Sequence, residues 1–191
     1  VTAIIEDQDA AVPEVLRQTI ALVVDEVHRL EEKIAGLDRQ LARLADAHPV
    51  ATRLQTIPGV GVLTATALVG AVGHIHAFRR GREFASWLGL TPRESSTGAR
   101  RHLGRISKRG DVHLRCLLAH GARAVLRVAL HLAARAPDRL TRLQQWALAI
   151  AAHRGRHKAV IAVANKLARI VWAVWRNDVA FEPQPPLRAI A

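Results

Sequence analysis

From Leu16 to Leu44 apolar residues recur at alternating steps of four and three without a break: Leu16, Ile20, Val23, Val27, Leu30, Ile34, Leu37, Leu41 and Leu44. This is the seam of a heptad repeat, and it commits the segment to a helix that meets another helix along its length. One phase places Ile20, Val27, Ile34 and Leu41 at a, and Leu16, Val23, Leu30, Leu37 and Leu44 at d. Mostly β-branched residues at a with Leu at d favour a parallel two-stranded coil. There Lys33 would face Asp38 of the partner helix, which helps, and Glu26 would face Glu31, which does not. Gly36 costs about 1 kcal/mol relative to Ala. Pro13 suits a first helical turn and His48-Pro49 ends the element. The same pattern also fits an antiparallel pairing or packing on the chain's own body. Self-association through residues 16–44 is the expectation, as a homodimer or higher oligomer.

Charge separates this arm from the rest of the chain. Residues 1–50 hold 5 basic and 10 acidic side chains, whereas residues 51–191 hold 23 basic and 6 acidic. The whole chain has 191 residues and a formal charge of +12, with half its residues apolar. That is enough to bury a core and too apolar for a disordered chain. A polyanion is the natural partner of so basic a body, because each neutralised phosphate releases counterions. The plainer alternative is Arg-rich solvated faces. One cysteine excludes an internal disulfide framework. Neither Ile57–Ile75, with its proline, glycines and histidine, nor Ala159–Trp175, with Lys166 and Arg169, reads as a membrane span. No secretory leader pattern is present at the start, so the expected location is cytoplasmic.

The body opens with Leu54-Gln-Thr-Ile57-Pro58-Gly59-Val60-Gly61-Val62-Leu63-Thr64-Ala65, the spacing of a helix–hairpin–helix. Pro58 and Gly59 make the turn, Gly61 allows close approach of a ligand, and the next helix offers free N–H groups to a phosphate. Such a contact positions DNA without reading it. A glycine-rich turn between two core helices is the alternative.

After a short helix near Arg82–Trp87, residues 89–111 are rich in proline, glycine and hydroxyl side chains and read as a basic loop, or a small irregular excursion, around Ser95 and Ser96. Arg93, Arg100, Arg101, Arg105, Lys108, Arg109 and Arg115 supply seven cations. Arginines around a hydroxyl are what metal-free phosphoryl transfer needs, because they neutralise the non-bridging oxygens. Serine alone is a weak nucleophile, and only arginines, His102 and Glu94 lie near it in sequence. On these residues alone Ser96 reads as a turn or phosphate-contacting hydroxyl ahead of a nucleophile. The body's carboxylates are Glu83, Glu94, Asp111, Asp138, Asp178 and Glu182, with no pair at helical spacing, so a two-metal nuclease site has no donors here. The histidines show no zinc spacing, and no Walker loop or dinucleotide fingerprint occurs.

Three helices should close the chain. Asp111 caps the first, running to about Ala134 with Leu114, Leu117, Leu118, Val125 and Leu126 inward and Cys116 as a small packing residue. Pro137-Asp138 starts the next, through Trp146 to His153, and Gly155 breaks it. The third spans roughly residues 157–176, with Ile161, Ala164, Leu167, Ile170, Val171 and Val174 inward. The fold class is therefore mainly helical: a long coiled-coil helix, then a compact helical domain with a helix–hairpin–helix and a basic loop. The tail after Asp178 reads as disordered.

The order of these motifs resembles the C-terminal domain of insertion-sequence 110/116/902 family transposases. The strings that carry the resemblance are Ile57-Pro-Gly-Val-Gly, Phe84-Ala-Ser-Trp-Leu-Gly-Leu-Thr-Pro-Arg-Glu, Ser96-Thr-Gly, Gly104-Arg-Ile-Ser-Lys-Arg-Gly-Asp, Leu114-Arg115 and Ala159-Val-Ile-Ala-Val-Ala-Asn-Lys-Leu-Ala. The resemblance implies DNA transposition by a serine that attacks a phosphodiester and becomes covalently linked to DNA. It implies Ser96 as that nucleophile, with Ser95 the fallback; the expected nucleic-acid contacts are Gly59 and Gly61 of the turn and Arg93, Arg100, Arg101, Arg105, Lys108, Arg109 and Arg115 of the basic segment. It implies DNA and a structured guide RNA as partners and a coiled coil that dimerises. Gly98-Ala99-Arg100 stands where two glycines and a lysine are common in the family, which keeps the positive charge. Family members also carry an N-terminal RNase-H-like domain that holds Mg2+. That domain is expected to be missing here, so no cofactor is expected in this chain. The expected division is linker remnant 1–13, coiled-coil helix 14–47, transposase domain 50–182 and tail 183–191. Autonomous activity is not expected. The alternative is a non-catalytic dimeric nucleic-acid-binding remnant of a mobile element.

Overall fold

The computed structural model describes residues 13–98, 100 and 102–185. Among these are seven α-helices and one two-stranded hairpin, so the chain is mainly helical. It divides into two compact units at Leu44/Ala45.

The first unit is built on helix α1, Glu14–Asp46, which runs unbroken through Gly36. Pro13 sits before it, its carbonyl accepting the amides of Leu16 and Arg17. Ion pairs Glu14–Arg17 and Glu26–Arg29 support the helix locally. Leu16, Val23, Val27, Leu30, Ile34, Leu37 and Leu44 of the seam are 46–63% exposed. Apolar side chains that could each contribute about 1.5–3 kcal/mol on burial thus stand in water.

The second unit contains α2 (Pro49–Leu54), α3 (Val62–Val72), α4 (Gly81–Trp87), β1 (Pro92–Glu94), β2 (Leu103–Ile106), α5 (Val112–Arg135), α6 (Arg142–Arg154) and α7 (Arg156–Asn177). Its centre is α7, which packs against α2, α4, α5 and α6. Small and branched residues on its inner face, Ala159, Val163, Ala164, Leu167, Ala168 and Val171, are fully buried and let those neighbours approach closely. Ile161 and Ile170, expected inward, lie half-buried at the edge of that face. Trp172 also sits at the edge, its indole N–H donating to the Phe78 carbonyl at 3.0 Å.

The Pro58–Gly59 turn joins α2 to α3. Gly59 has φ +83° and lies backbone-to-backbone against Gly121 of α5. Gly59 therefore serves the packing of the turn on α5, and Gly61, exposed at the start of α3, is the glycine left open to solvent.

Asp111 caps α5 by accepting the Leu114 amide at 2.9 Å. This helix is long and apolar enough to cross a membrane by length and composition. Here Leu114, Leu118, Gly121, Ala122, Val125, Leu126 and Ala129 are buried against the unit's other helices. Cys116 is not the packing residue expected but exposed. It lies about 200° around the helix from Leu114, on the face opposite the core. Thr141 and Gln144 form a capping box at the start of α6. The segment beyond Asp178 is held through Gln184, against the expectation of disorder. Phe181 N–H donates to Thr56 Oγ1 at 2.8 Å, and the Gln184 carbonyl accepts the Arg142 amide at 3.1 Å. Of the expected linker remnant and tail, residues 1–12 and 186–191 lie outside the described residues.

Candidate functional site

The segment expected as a basic loop is a hairpin. Thr91, Pro92 and Glu94 pair across to Ser107, Ile106 and Leu103, and the ladder continues to Ser95–His102 and Thr97–Arg100. Between Pro92–Ile106 and Glu94–Leu103 the register shifts, with Gly104 and Arg105 opposite Arg93 alone. Such a bulge strengthens the local twist. Two glycines make the base possible. Gly89, at φ +72°, lies against the backbone of Arg109, and Gly110, at φ +135°, against the Trp87 carbonyl and Leu88. Any Cβ at either would strike backbone. Gly98, at φ +53°, turns the chain at the tip.

Ser96 stands exposed near that tip. Its Oγ donates to Glu94 Oε1 at 2.8 Å and accepts from the His102 amide at 3.3 Å. Glu94 and Ser96 are two residues apart in extended backbone, so both side chains leave the same side. The proximity of Glu94 was visible in the sequence. Its direct contact with the hydroxyl needed the strand assignment, which the proline and glycines obscured. Ser95 lies on the alternate position, its amide donating to the His102 carbonyl at 3.0 Å.

The structure brings Arg93, Arg100, Arg105, Lys108 and Arg109 together with Ser96 on the hairpin and its base, all exposed or at its edge. Arg93 donates to the Ser107 carbonyl at 3.2 Å, crossing between the strands. Arg101 lies outside the described residues. Arg115 stands apart: half-buried on α5, its Nη1 contacts the carbonyls of Leu88, Gly110 and Asp111 at 3.2–3.4 Å and ties the hairpin base to the helix. Gly59 and Gly61 are on the α2–α3 turn and not on the hairpin. No three His, Cys, Asp or Glu side chains come together among the described residues.

This arrangement offers an exposed hydroxyl, a carboxylate positioned to accept its proton, and cations to hold an anionic ester. Residues 51–137 match the family described as Transposase IS116/IS110/IS902. The chain is 37% identical over 176 residues to a probable family 20 transposase of Pseudomonas aeruginosa, covering 92% of this chain and 50% of that protein. It is 38% identical over 159 residues to the transposase for insertion sequence element IS1111A of Coxiella burnetii, covering 83% of this chain and 42% of that one. A pilin gene-inverting protein of Moraxella bovis is 27% identical over 166 residues, covering 83% of this chain and 48% of that protein. The chain spans about half the length of the curated relatives it matches.

Proposed function

Because the chain belongs to the IS116/IS110/IS902 family of transposases, we propose that it carries the half of such an enzyme that breaks and rejoins DNA through Ser96. Ser96 Oγ attacks phosphorus in line. The Oγ–P bond forms as the P–O bond to the leaving nucleotide breaks, and the strand is held as a phosphoserine diester. The hydroxyl proton passes to Glu94 Oε1, and the departing oxygen takes a proton from solvent. Attack by an incoming strand's hydroxyl reverses the step and frees Ser96, so no nucleotide is consumed. Arg93, Arg100, Arg101, Arg105, Lys108 and Arg109 neutralise the phosphate as charge develops. Ser95 is the fallback nucleophile. Arg115, Gly59 and Gly61 contribute by holding the body in shape and, at Gly61, by leaving the start of α3 open to a DNA backbone.

The seam of α1 is the surface for a second copy, as a parallel coil. Transposition in the cytoplasm, directed by a guide RNA, belongs to the assembly in which the rest of the relatives' length takes part, with any Mg2+ held there. The observation that carries the reading is the Ser96 hydroxyl, open to solvent and 2.8 Å from a carboxylate on an arginine-rich hairpin.

The test is a nicked suicide substrate carrying an element end, incubated with the chain alone and with the N-terminal half of a relative added in trans. A denaturant-stable protein–DNA adduct that survives S95A and disappears in S96A is expected. Salt-sensitive binding with no adduct in either condition would leave the non-catalytic binding module as the function.

A further inference from the structure

A second cationic surface lies on the outer face of α7, and the strand-cleavage chemistry does not use it. Lys158, Lys166 and Arg169 recur at steps of eight and three and so share one side of the helix. All three are exposed, and none makes an ion pair among the described residues. Beneath them is a groove of about 540 Å3, bounded by Pro92 and Ile106 of the hairpin base and by Trp146 of α6, with Ile161 and Ala162 in its floor. A second groove of about 430 Å3 shares Lys166 and Arg169 with it and extends to Arg80 and Arg82. No carboxylate lines either groove; Glu182 lines an adjoining cavity that shares Trp146, Lys166 and Ile170 with them.

Cations gathered without acidic partners ask for a ligand with repeated negative charge. An apolar floor ending on a Trp that is 39% exposed asks for planar apolar faces on that same ligand. A duplex presents phosphates but keeps its base faces stacked, whereas an unpaired strand offers both. From Lys158 to Arg169 the helix rises about 16 Å, room for several nucleotides. The groove begins at Pro92 and Ile106, the pair at the foot of the hairpin that bears Ser96. We propose that this groove seats single-stranded DNA continuing from the strand held at the hairpin, with phosphates on Lys158, Lys166 and Arg169 and a base stacked on Trp146. The identification of the strand rests on the proposed cleavage by Ser96; the binding itself does not require that residue.

The full chain is titrated with fluorescein-labelled oligo(dT) by anisotropy between about 50 and 200 mM salt. The triple variant K158Q/K166Q/R169Q is expected to lower the slope of log affinity against log salt by about 2, from three contacts on a single strand. W146A should weaken binding by at least about fivefold, and W146F should restore most of it. Unchanged oligo(dT) affinity in the triple variant overturns the proposal, and so does a larger loss for duplex DNA or oligo(rU) than for oligo(dT). The triple variant alters only exposed side chains, so its readout stands even if W146A disturbs α6. Absence of an adduct together with intact groove binding would remove the strand-cleavage reading and leave the groove in place.

Discussion

Gly121 lies within α5, where alanine would ordinarily be preferred by about 1 kcal/mol. A Cβ built there meets the Gly59 carbonyl oxygen, the Gly59 carbonyl carbon at 2.9 Å and the Gly59 α-carbon at 3.4 Å. These are backbone atoms of a turn at φ +83°, so no side chain can swing aside. Clearing them means separating α5 from the turn or distorting both, an overpacking cost of about 1–3 kcal/mol. Gly70, in α3, provides the matched control, because nothing lies within 4 Å of its Cβ position. Both substitutions to alanine gain similar helix propensity, so their difference isolates the contact. G70A is expected to stabilise by up to about 1 kcal/mol, with G121A about 1–3 kcal/mol below it. For a domain of this size 1 kcal/mol moves Tm by about 2–4 °C, so G121A should melt about 2–12 °C below G70A. Thermal unfolding followed by circular dichroism measures the gap. A G121A protein melting level with G70A would refute the claim that this crossing is tightly packed.

In E94Q an acceptor remains beside Ser96 but cannot take its proton; adduct formation should slow by about 10²-fold or more while equilibrium DNA binding stays unchanged, read from single-turnover adduct yield. I34D places a charge at an a position of the exposed seam, and sedimentation should show loss of self-association with the body's melting temperature unaltered. T141A removes the capping box of α6 and should cost about 1 kcal/mol, visible as a Tm lower by about 2–4 °C.

The parts legible from the sequence are those set by local periodicity and caps. The heptad steps foretold α1, Asp111 foretold the start of α5, and Gly155 foretold the break before α7. The hairpin was hidden because its pairing is fixed at a base where Gly89 and Gly110 cross backbones distant in sequence from one another. A composition of proline, glycine and hydroxyls suits a loop equally well. Gly59 looked like a ligand contact because nothing in its neighbours announces Gly121, some sixty residues on. Cys116 could have been placed by angle, since it falls opposite Leu114, Leu118 and Ala122 on the wheel. The α7 groove escaped because its apolar walls, Pro92, Ile106 and Trp146, come from other elements, although the spacing of Lys158, Lys166 and Arg169 along one helix was legible.

The crossing at Gly89 and Gly110, with Arg115 drawn across it, works as a socket. Its grip is main chain on main chain, with one side chain, Arg115, bonded to main-chain carbonyls, and it does not draw on side chains farther out along the hairpin. Substitutions confined to the protruding part of the hairpin therefore leave the backbone contacts of its mount untouched.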